Sequence, residues 1–520
     1  MHYTKLLFVS ILYVCALFFS PCSAKKKEMT ILIHMTEAQT KFFIEEVVKT
    51  FEKENDIKIN VISAPNIDEI EKILLTHKDK ISLVKIPFIH SWSLVRKDLI
   101  VPLNDVLGKY DLGFFYNDYI LTWFGQKDDT QYFLPRKYET RILVYRKSKV
   151  LEAFNAFGTY KDTVNSFLEQ INGYGLPYNY MLERNPTQWD FYDIFVLGFI
   201  WSQLKFNDTI MPRVAHRGKK YSGTALRVID RVYQCGGDSI VFLRMDGSPV
   251  IDAFEWEALY TYANIYNNKM WEQGWSGTNI WEGFASEDVF LSFLTQIDCV
   301  YLIGTGKDGI NGYIKDKSDI GMTLMPTGCS VQLDEHGNVL RKGTKSTTTG
   351  GWWWAIPKSC PDLNLTYRFY EFITSRSVQL EECTRFGMIP VRKDILKNKY
   401  IITESGWISK IFRVSYKQIQ MNDKNMLPSH ININRIADIY LNALFDIVVN
   451  KNWSSINTML VPDTSVTHDS TNSTGTIEKS DSGLSPTDTL STKLAGEKSI
   501  ENEPLTNDDV SEKKTWNRCS

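Results

Sequence analysis

The sequence predicts an α/β protein of two lobes, the first opening as a doubly wound sheet, followed by a disordered C-terminal tail. Three observations carry that expectation. The chain has 520 residues, more than one hydrophobic core usually holds, so two lobes with extensions are expected. Its N-terminal region reads as strand, amphipathic helix and strand within some thirty residues, the spacing of a βαβ unit. From about Thr464 onward the chain turns to Ser, Thr, Asp, Asn, Glu and Lys, with Trp516 its only aromatic. Such a segment cannot bury enough apolar surface to offset its ordering entropy.

The elements follow in order. Residues 1–5 are short and basic, 6–19 are apolar, and 20–24 are mostly small, which predicts a secretory signal peptide over 1–24 cleaved after Ala24. A competing reading makes Cys22 a lipidated N-terminus that would tether the mature protein. No later run of about 18 apolar residues offers a membrane span. Thr30-Ile31-Leu32-Ile33 reads as a buried strand. Residues 37–54 place Phe43, Val47, Val48 and Phe51 at helical spacing. Ile57, Ile59 and Val61 alternate as the next strand, and Ser82-Leu83-Val84-Lys85-Ile86 reads as a third.

The middle of the chain is helical in pattern, with 189–204 a nearly continuous apolar helix. Strand signals return at 300–303, 320–324 and 351–356. Residues 366–383 and 435–449 read as amphipathic helices.

Composition excludes some functions. Charged residues make up 23% and the net charge is -2, which gives no basic face for nucleic acid. The 8 cysteines form no CxxC pair, and the 8 histidines form no HExxH, so neither a metal nor another cofactor is expected. Gly274-Trp275-Ser276-Gly277 lacks the second spacer of a nucleophile elbow, and no sequence near Gly306-Lys307 completes a phosphate loop. No catalytic residue is nominated.

Several segments form a series along the chain. They are the N-terminal βαβ unit with Phe51-Glu52-Lys53-Glu54, Leu99-Ile100-Val101-Pro102-Leu103, and Phe133-Leu134-Pro135 followed by 142–147. Cys235-Gly236-Gly237 with the helix after Pro249 and Asp319-Ile320-Gly321-Met322 follow. Gly350-Gly351-Trp352 with Ala355-Ile356-Pro357-Lys358 and Gly387-Met388-Ile389-Pro390 complete the series. Taken in order, these segments resemble the maltose-binding-like family of extracellular solute-binding proteins of carbohydrate ABC importers. The resemblance covers about 29–455.

It implies a type II-like periplasmic-binding-protein fold whose lobes are joined by three hinge crossovers near 138–143, 319–325 and 355–358. The N-terminal lobe would take 28–140 plus 322–356, the C-terminal lobe 141–320 plus 358–460, and the tail 464–520. It further implies a monomer, periplasmic or extracellular, that closes on a small ligand, expected to be a sugar, and delivers it to the importer's permease subunits.

Sugars present an apolar face of C–H groups and a rim of hydroxyls, so a site for them needs stacking rings and hydrogen-bonding groups. The candidates are Glu37, Phe88, Arg136, Tyr138 and Glu139 in the first lobe. In the second they are Trp189, Asp190, Trp281, Glu282 and Gly306, with Gly351 and Trp352 at the last crossover. Sugar binders of this family often carry a Trp after the strand expected at 300–303, where this chain has Gly304-Thr305-Gly306; its stacking partner therefore differs. Two other readings stay open: an exported sensor or adhesin of the same fold with the tail as spacer, and an exported carbohydrate-active enzyme.

Overall fold

The computed structural model describes residues 27–77, 81–104, 118–207, 214–237, 258, 274–305, 310–397, 406–422 and 433–448. The expected signal peptide, Cys22, Gly306, the helix after Pro249 and the tail lie outside the described residues.

Ten strands are described: β1 (Lys27–Ile33), β2 (Ile57–Ser63), β3 (Leu83–Pro87), β4 (Gln126–Lys127), β5 (Thr130–Gln131), β6 (Leu134–Glu139), β7 (Arg141–Arg146), β8 (Leu291–Thr295), β9 (Ile320–Thr323) and β10 (Gly350–Ala355). Five form one sheet in the order β2-β1-β3-β10-β6, three form a second in the order β8-β7-β9, and β4 with β5 makes a small hairpin.

The first sheet grows from the βαβ unit that the sequence announced. β1 and β2 run parallel from Lys27 opposite Ile57 to Ile33 opposite Ser63. Between them the chain is helical over Glu37–Phe42, passes through a π-helical stretch Phe43–Val48, and continues as Lys49–Asn55. Thr36 caps the start by accepting from Gln39 N, and Asp56 ends the run in the left-handed conformation at φ 49°. Phe42, Phe43, Val47, Val48 and Phe51 are buried against the sheet, as the apolar spacing requires. β3 pairs parallel with β1, while β10 lies antiparallel between β3 and β6.

A single residue, Thr140, separates β6 of the first sheet from β7 of the second. The other two passages fall later than expected. β9 pairs with β7, so the return to the first sheet lies between 323 and 350 rather than at 319–325. After β10 the chain stays with the first lobe instead of leaving near 355–358. The helices Leu363–Ile373 and Arg376–Phe386 pack there because Phe369 meets Phe51 at 5.0 Å edge-on and Phe386 meets Phe42 at 5.7 Å. Only with the helix Trp407–Asn422, which packs on β7 and β9, does the chain rejoin the second lobe. Residues 358–397, expected in the C-terminal lobe, thus belong with the first.

The second lobe surrounds its sheet with helices. The 26-residue Lys147–Asn172 packs on Phe191–Phe206. Phe191–Phe206 is apolar on nearly every side, as the sequence indicated, and is buried from Phe191 to Gln203.

Two local expectations are corrected. Residues 300–303 are the end of the helix Gln296–Ile303 and not a strand; the strand is β8, just before it. A capping box between Thr295 and Asp298 starts that helix and outweighs the β-branched residues of its last turn. Residues 366–383 form two helices, broken at Thr374 and Ser375, with Ser375 at the second N-cap.

Candidate functional site

The two sheets meet at Thr140, where β6 ends and β7 begins. Lys85 of β3, Arg136 of β6 and Trp352 of β10 reach His34 and Met35, where the chain leaves β1.

On the first-lobe side the centre is Trp352. The Lys85 ammonium sits 3.3 Å from its ring centroid, and the His34 ring lies 6.0 Å away. Lys85 is buried and donates to the His34 carbonyl. Burial first, then the nearby charges of Arg136 and Lys137, push its ammonium well below the ordinary lysine value, against the pull of Glu139 and Glu382. Lys137 pairs with Glu139, and Arg136 with Glu382 at 2.6 Å. Burial raises the Glu139 carboxyl, yet Lys137, Lys85 and Arg141 together hold it below its ordinary value. The opposite holds for Glu382, where burial prevails over Arg136 and the carboxyl is raised.

A bulge creates this arrangement. Trp352 stands opposite Lys137 while Trp353 stands opposite Pro135, which leaves Arg136 as the extra residue of β6. Gly351 belongs to the same close approach: a Cβ there would lie 2.3 Å from the Lys137 carbonyl oxygen.

On the second-lobe side, Trp281 stacks on Tyr301 with centroids 5.2 Å apart and an interplanar angle of 14°, and Tyr313 lies 5.7 Å from Trp281. Tyr301 reaches the side chain of Thr36 in the first lobe, next to Glu37; burial raises its hydroxyl pKa. Arg217 borders this aromatic group and binds Asp298 with both carboxylate oxygens, at 2.9 and 3.1 Å. Burial raises the Asp298 carboxyl, but Arg217 and then Arg227 hold it below its ordinary value. The charged line continues through Arg227 and Asp230 to Arg141, whose Nε lies 3.1 Å from Asp230.

The passages themselves are joined by a polar seam. Asn422 Nδ2 donates to Thr140 Oγ1 at 2.9 Å and to Thr349 Oγ1 at 3.0 Å, while its Oδ1 accepts from Thr347 N at 2.9 Å. Gln296 bridges the same point, donating to the Tyr138 carbonyl and accepting from Thr140 N.

Of the sequence candidates, Trp352, Gly351 and Glu139 come together on one wall, with Glu37 and Trp281 meeting around Tyr301. Glu282 is exposed beside Trp281. Others serve the fold. Trp189 is fully buried, donates its indole N–H to the Glu183 carbonyl at 2.7 Å and packs on Tyr145, so no ligand reaches it. Asp190 caps the helix Phe191–Phe206 by accepting from Tyr192 N and Asp193 N. Tyr138 is buried with its hydroxyl on the Ile120 carbonyl and its ring edge-on to Trp353. Arg136 is buried in its pair with Glu382. Phe88 packs on Trp353 and Phe124 and lines an outer groove of about 380 Å³ together with Trp92 and Trp123.

Single-candidate reading missed Lys85, Tyr301, Arg217, Arg227 and Asp298. A charged residue inside the apolar run of β3 was the signal for Lys85, and the Thr-x-x-Asp box was the signal for Asp298. Among the described residues no group of three or more His, Cys, Asp or Glu side chains is placed to hold a metal, and no helix is long and apolar enough to cross a membrane.

The sequence profile of bacterial extracellular solute-binding proteins matches residues 46–405. No curated protein sequence matches the chain. Among solved structures, similarity is found to an ABC transporter solute-binding protein of Thermotoga lettingae bound with α-D-tagatose. The identity is 17%, the TM-score 0.59, and 84% of this chain and 97% of that one are covered. The GacH receptor of Streptomyces glaucescens, studied unliganded and with acarbose, matches at 14% identity and TM-score 0.59, covering 84% and 96%. The maltose-bound MalE3 of T. maritima matches at 14% identity and TM-score 0.58, covering 83% and 97%. At these identities the likeness is one of fold: two α/β lobes of the periplasmic-binding type.

Proposed function

Because the chain belongs to the bacterial extracellular solute-binding proteins, we propose that it captures a sugar between its lobes and delivers it to the permease subunits of an ABC importer. The observation that carries the reading is an aromatic group in each lobe beside the segment that leaves β1: Trp352 with its cation next to His34, and the Trp281–Tyr301 stack next to Thr36. Rings on both sides give the C–H faces of a sugar two stacking surfaces, and Glu37, Lys137 and Glu139 supply the polar rim.

Closure is a hinge motion about Thr140, Thr347–349 and Asn422, the seam where the passages meet. A closed, occupied form differs in shape from an open one, which is how a transporter would read occupancy. The protein acts as a monomer, exported through its leader, with Cys22 as a second route to the membrane surface by lipidation. Among the described residues the lobe division is 27–140 with 350–397 and 141–346 with 406–448, since 325–346 bond to Trp189, Tyr192 and Gln234 of the second lobe. The family and fold are those of binding proteins rather than enzymes.

A thermal-shift screen of the mature chain against mono-, di- and oligosaccharides, amino acids and polyamines tests this. Ligand at a hundred times its Kd adds about 2.7 kcal/mol of stability, so a sugar of this class raises Tm without being consumed. Silence across all sugars, or turnover of one, would overturn the reading.

A further inference from the structure

The charge along the cleft is not balanced. In the second lobe three guanidinium groups, Arg141, Arg217 and Arg227, share two carboxylates, Asp230 and Asp298, among the described residues. Arg217 takes Asp298 in a two-oxygen pair and Arg141 takes Asp230. Arg227 is left at 3.9 Å from Asp230, with its side chain 10% exposed and its Nη1 making no hydrogen bond.

In the first lobe three cations, Lys85, Arg136 and Lys137, share Glu139 and Glu382. Here too one cation is left over. Lys85 has only a carbonyl and the Trp352 ring beside its ammonium. The two groups are neighbours, since Arg141 acts on the Glu139 carboxyl across the passage at Thr140.

A buried charge is costly unless it is paired. Among the described residues, Arg227 in the second lobe and Lys85 in the first are therefore each left without a carboxylate of their own, in the two charge groups that flank the passage at Thr140. The strain shows in the titration: burial, then the charges of Arg141 and Arg217, bring Arg227 down to about 10, and Lys85 is lowered for the same reasons.

Resting on the solute-receptor reading, we propose that the ligand of this cleft is an anionic carbohydrate, its acidic group met by Arg227 of the second lobe, with the field of Lys85, buried behind Trp352, adding to it from the first. A carboxylate and a phosphate ester share the chemistry that a guanidinium recognises with two parallel N–H donors. The stacking surfaces of Trp352 and Trp281 would hold the ring of the sugar while its acidic group lies towards the passage. An anion placed there interacts with both lobes at once, so it favours the closed form over the open one.

Calorimetric titration of the mature full-length protein tests the proposal with matched pairs: galacturonate oligomers against galactose oligomers, and glucose 6-phosphate against glucose. The acidic member of at least one pair binds about tenfold tighter or more than its neutral partner. Which pair shows it separates carboxylate from phosphate. That preference shrinks as NaCl is raised. Arg227→Gln removes the preference while Arg227→Lys keeps part of it, with neither lowering Tm below that of the parent.

Neutral sugars binding as tightly as acidic ones, or more tightly, would overturn the charge assignment while leaving the receptor reading intact. Binding by neither member of any pair, nor by any other sugar, would overturn both. The comparison within pairs needs no variant, so it decides even if Arg227→Gln fails to fold.

Discussion

The two walls of the cleft are made in different ways. The first-lobe wall is strand: Trp352, Lys137 and Glu139 project from β10 and β6, held by a ladder of backbone hydrogen bonds and a bulge at Arg136. The second-lobe wall is made of helices and a loop: Trp281 from the middle of Gly277–Ala285, Tyr301 and Asp298 from Gln296–Ile303, and Arg217 from the segment before Ser222–Gln234. A strand side chain has both neighbours fixed by pairing, whereas a residue at a helix end moves with the whole helix. On that ground the first wall is expected to be the stiffer of the two.

The contrast is broken most severely within the first wall itself. Trp353 is buried against Phe88, Phe133 and Tyr138, next to the half-buried Trp352. Trp353→Ala should cost about 3–5 kcal/mol of stability, and chemical denaturation would measure it. Trp352→Ala should leave the denaturation midpoint near the parent value and weaken ligand binding about tenfold. Equal stability losses at both positions would show that Trp352 is a core residue.

A pH series sharpens the comparison from the second lobe. Burial, followed by the neighbouring Asp190 charge, pushes the Asp193 carboxyl up to about 7. The folded pKa lies above the unfolded one, so the associated stability is complete below about pH 4 and is lost as pH rises through about 7. Tm should therefore fall over that interval, and Asp193→Asn should flatten the slope. An unchanged slope in the variant would assign the pH dependence to other groups.

The seam between the walls comes next. Asn422→Ala leaves Thr140, Thr347 and Thr349 without their shared partner and should cost about 1–3 kcal/mol. It should also shift the open–closed balance, visible as a changed radius of gyration in solution scattering. The smallest effect is expected at Glu282, exposed beside Trp281: Glu282→Gln should alter stability by less than about 0.5 kcal/mol. A large loss of affinity there would add its carboxylate to the ligand's contacts.

Much of the fold was legible because periodicity survives in short windows. Phe43, Val47, Val48 and Phe51 specify one face of a helix wherever it packs, and Ile57, Ile59 and Val61 specify one face of a strand. The third and second passages were misplaced because a crossover has no local pattern. Residues 358–397 join the first lobe through Phe369 and Phe386, whose partners Phe51 and Phe42 lie more than three hundred positions earlier. Local signals also competed: Val300 and Ile303 favour a strand, while the Thr295–Asp298 box, worth reading first, starts a helix.

The candidate site was legible in kind and only partly in place. Gly-Gly-Trp before a β-branched or aromatic run marked Trp352, and the aromatic surplus announced stacking. Trp189, chosen for the same ring, is core, since its indole N–H finds the Glu183 carbonyl inside the lobe.

What the sequence by itself determined is most of the α and β elements and the two-lobed α/β class, because these depend on composition, spacing and neighbours along the chain. What only the tertiary structure decided is which charges remain unpaired. Lys85, Arg136 and Glu382 lie far apart in the sequence, as do Arg141, Arg227 and Asp298, and burial sets their electrostatics only once the fold gathers each group.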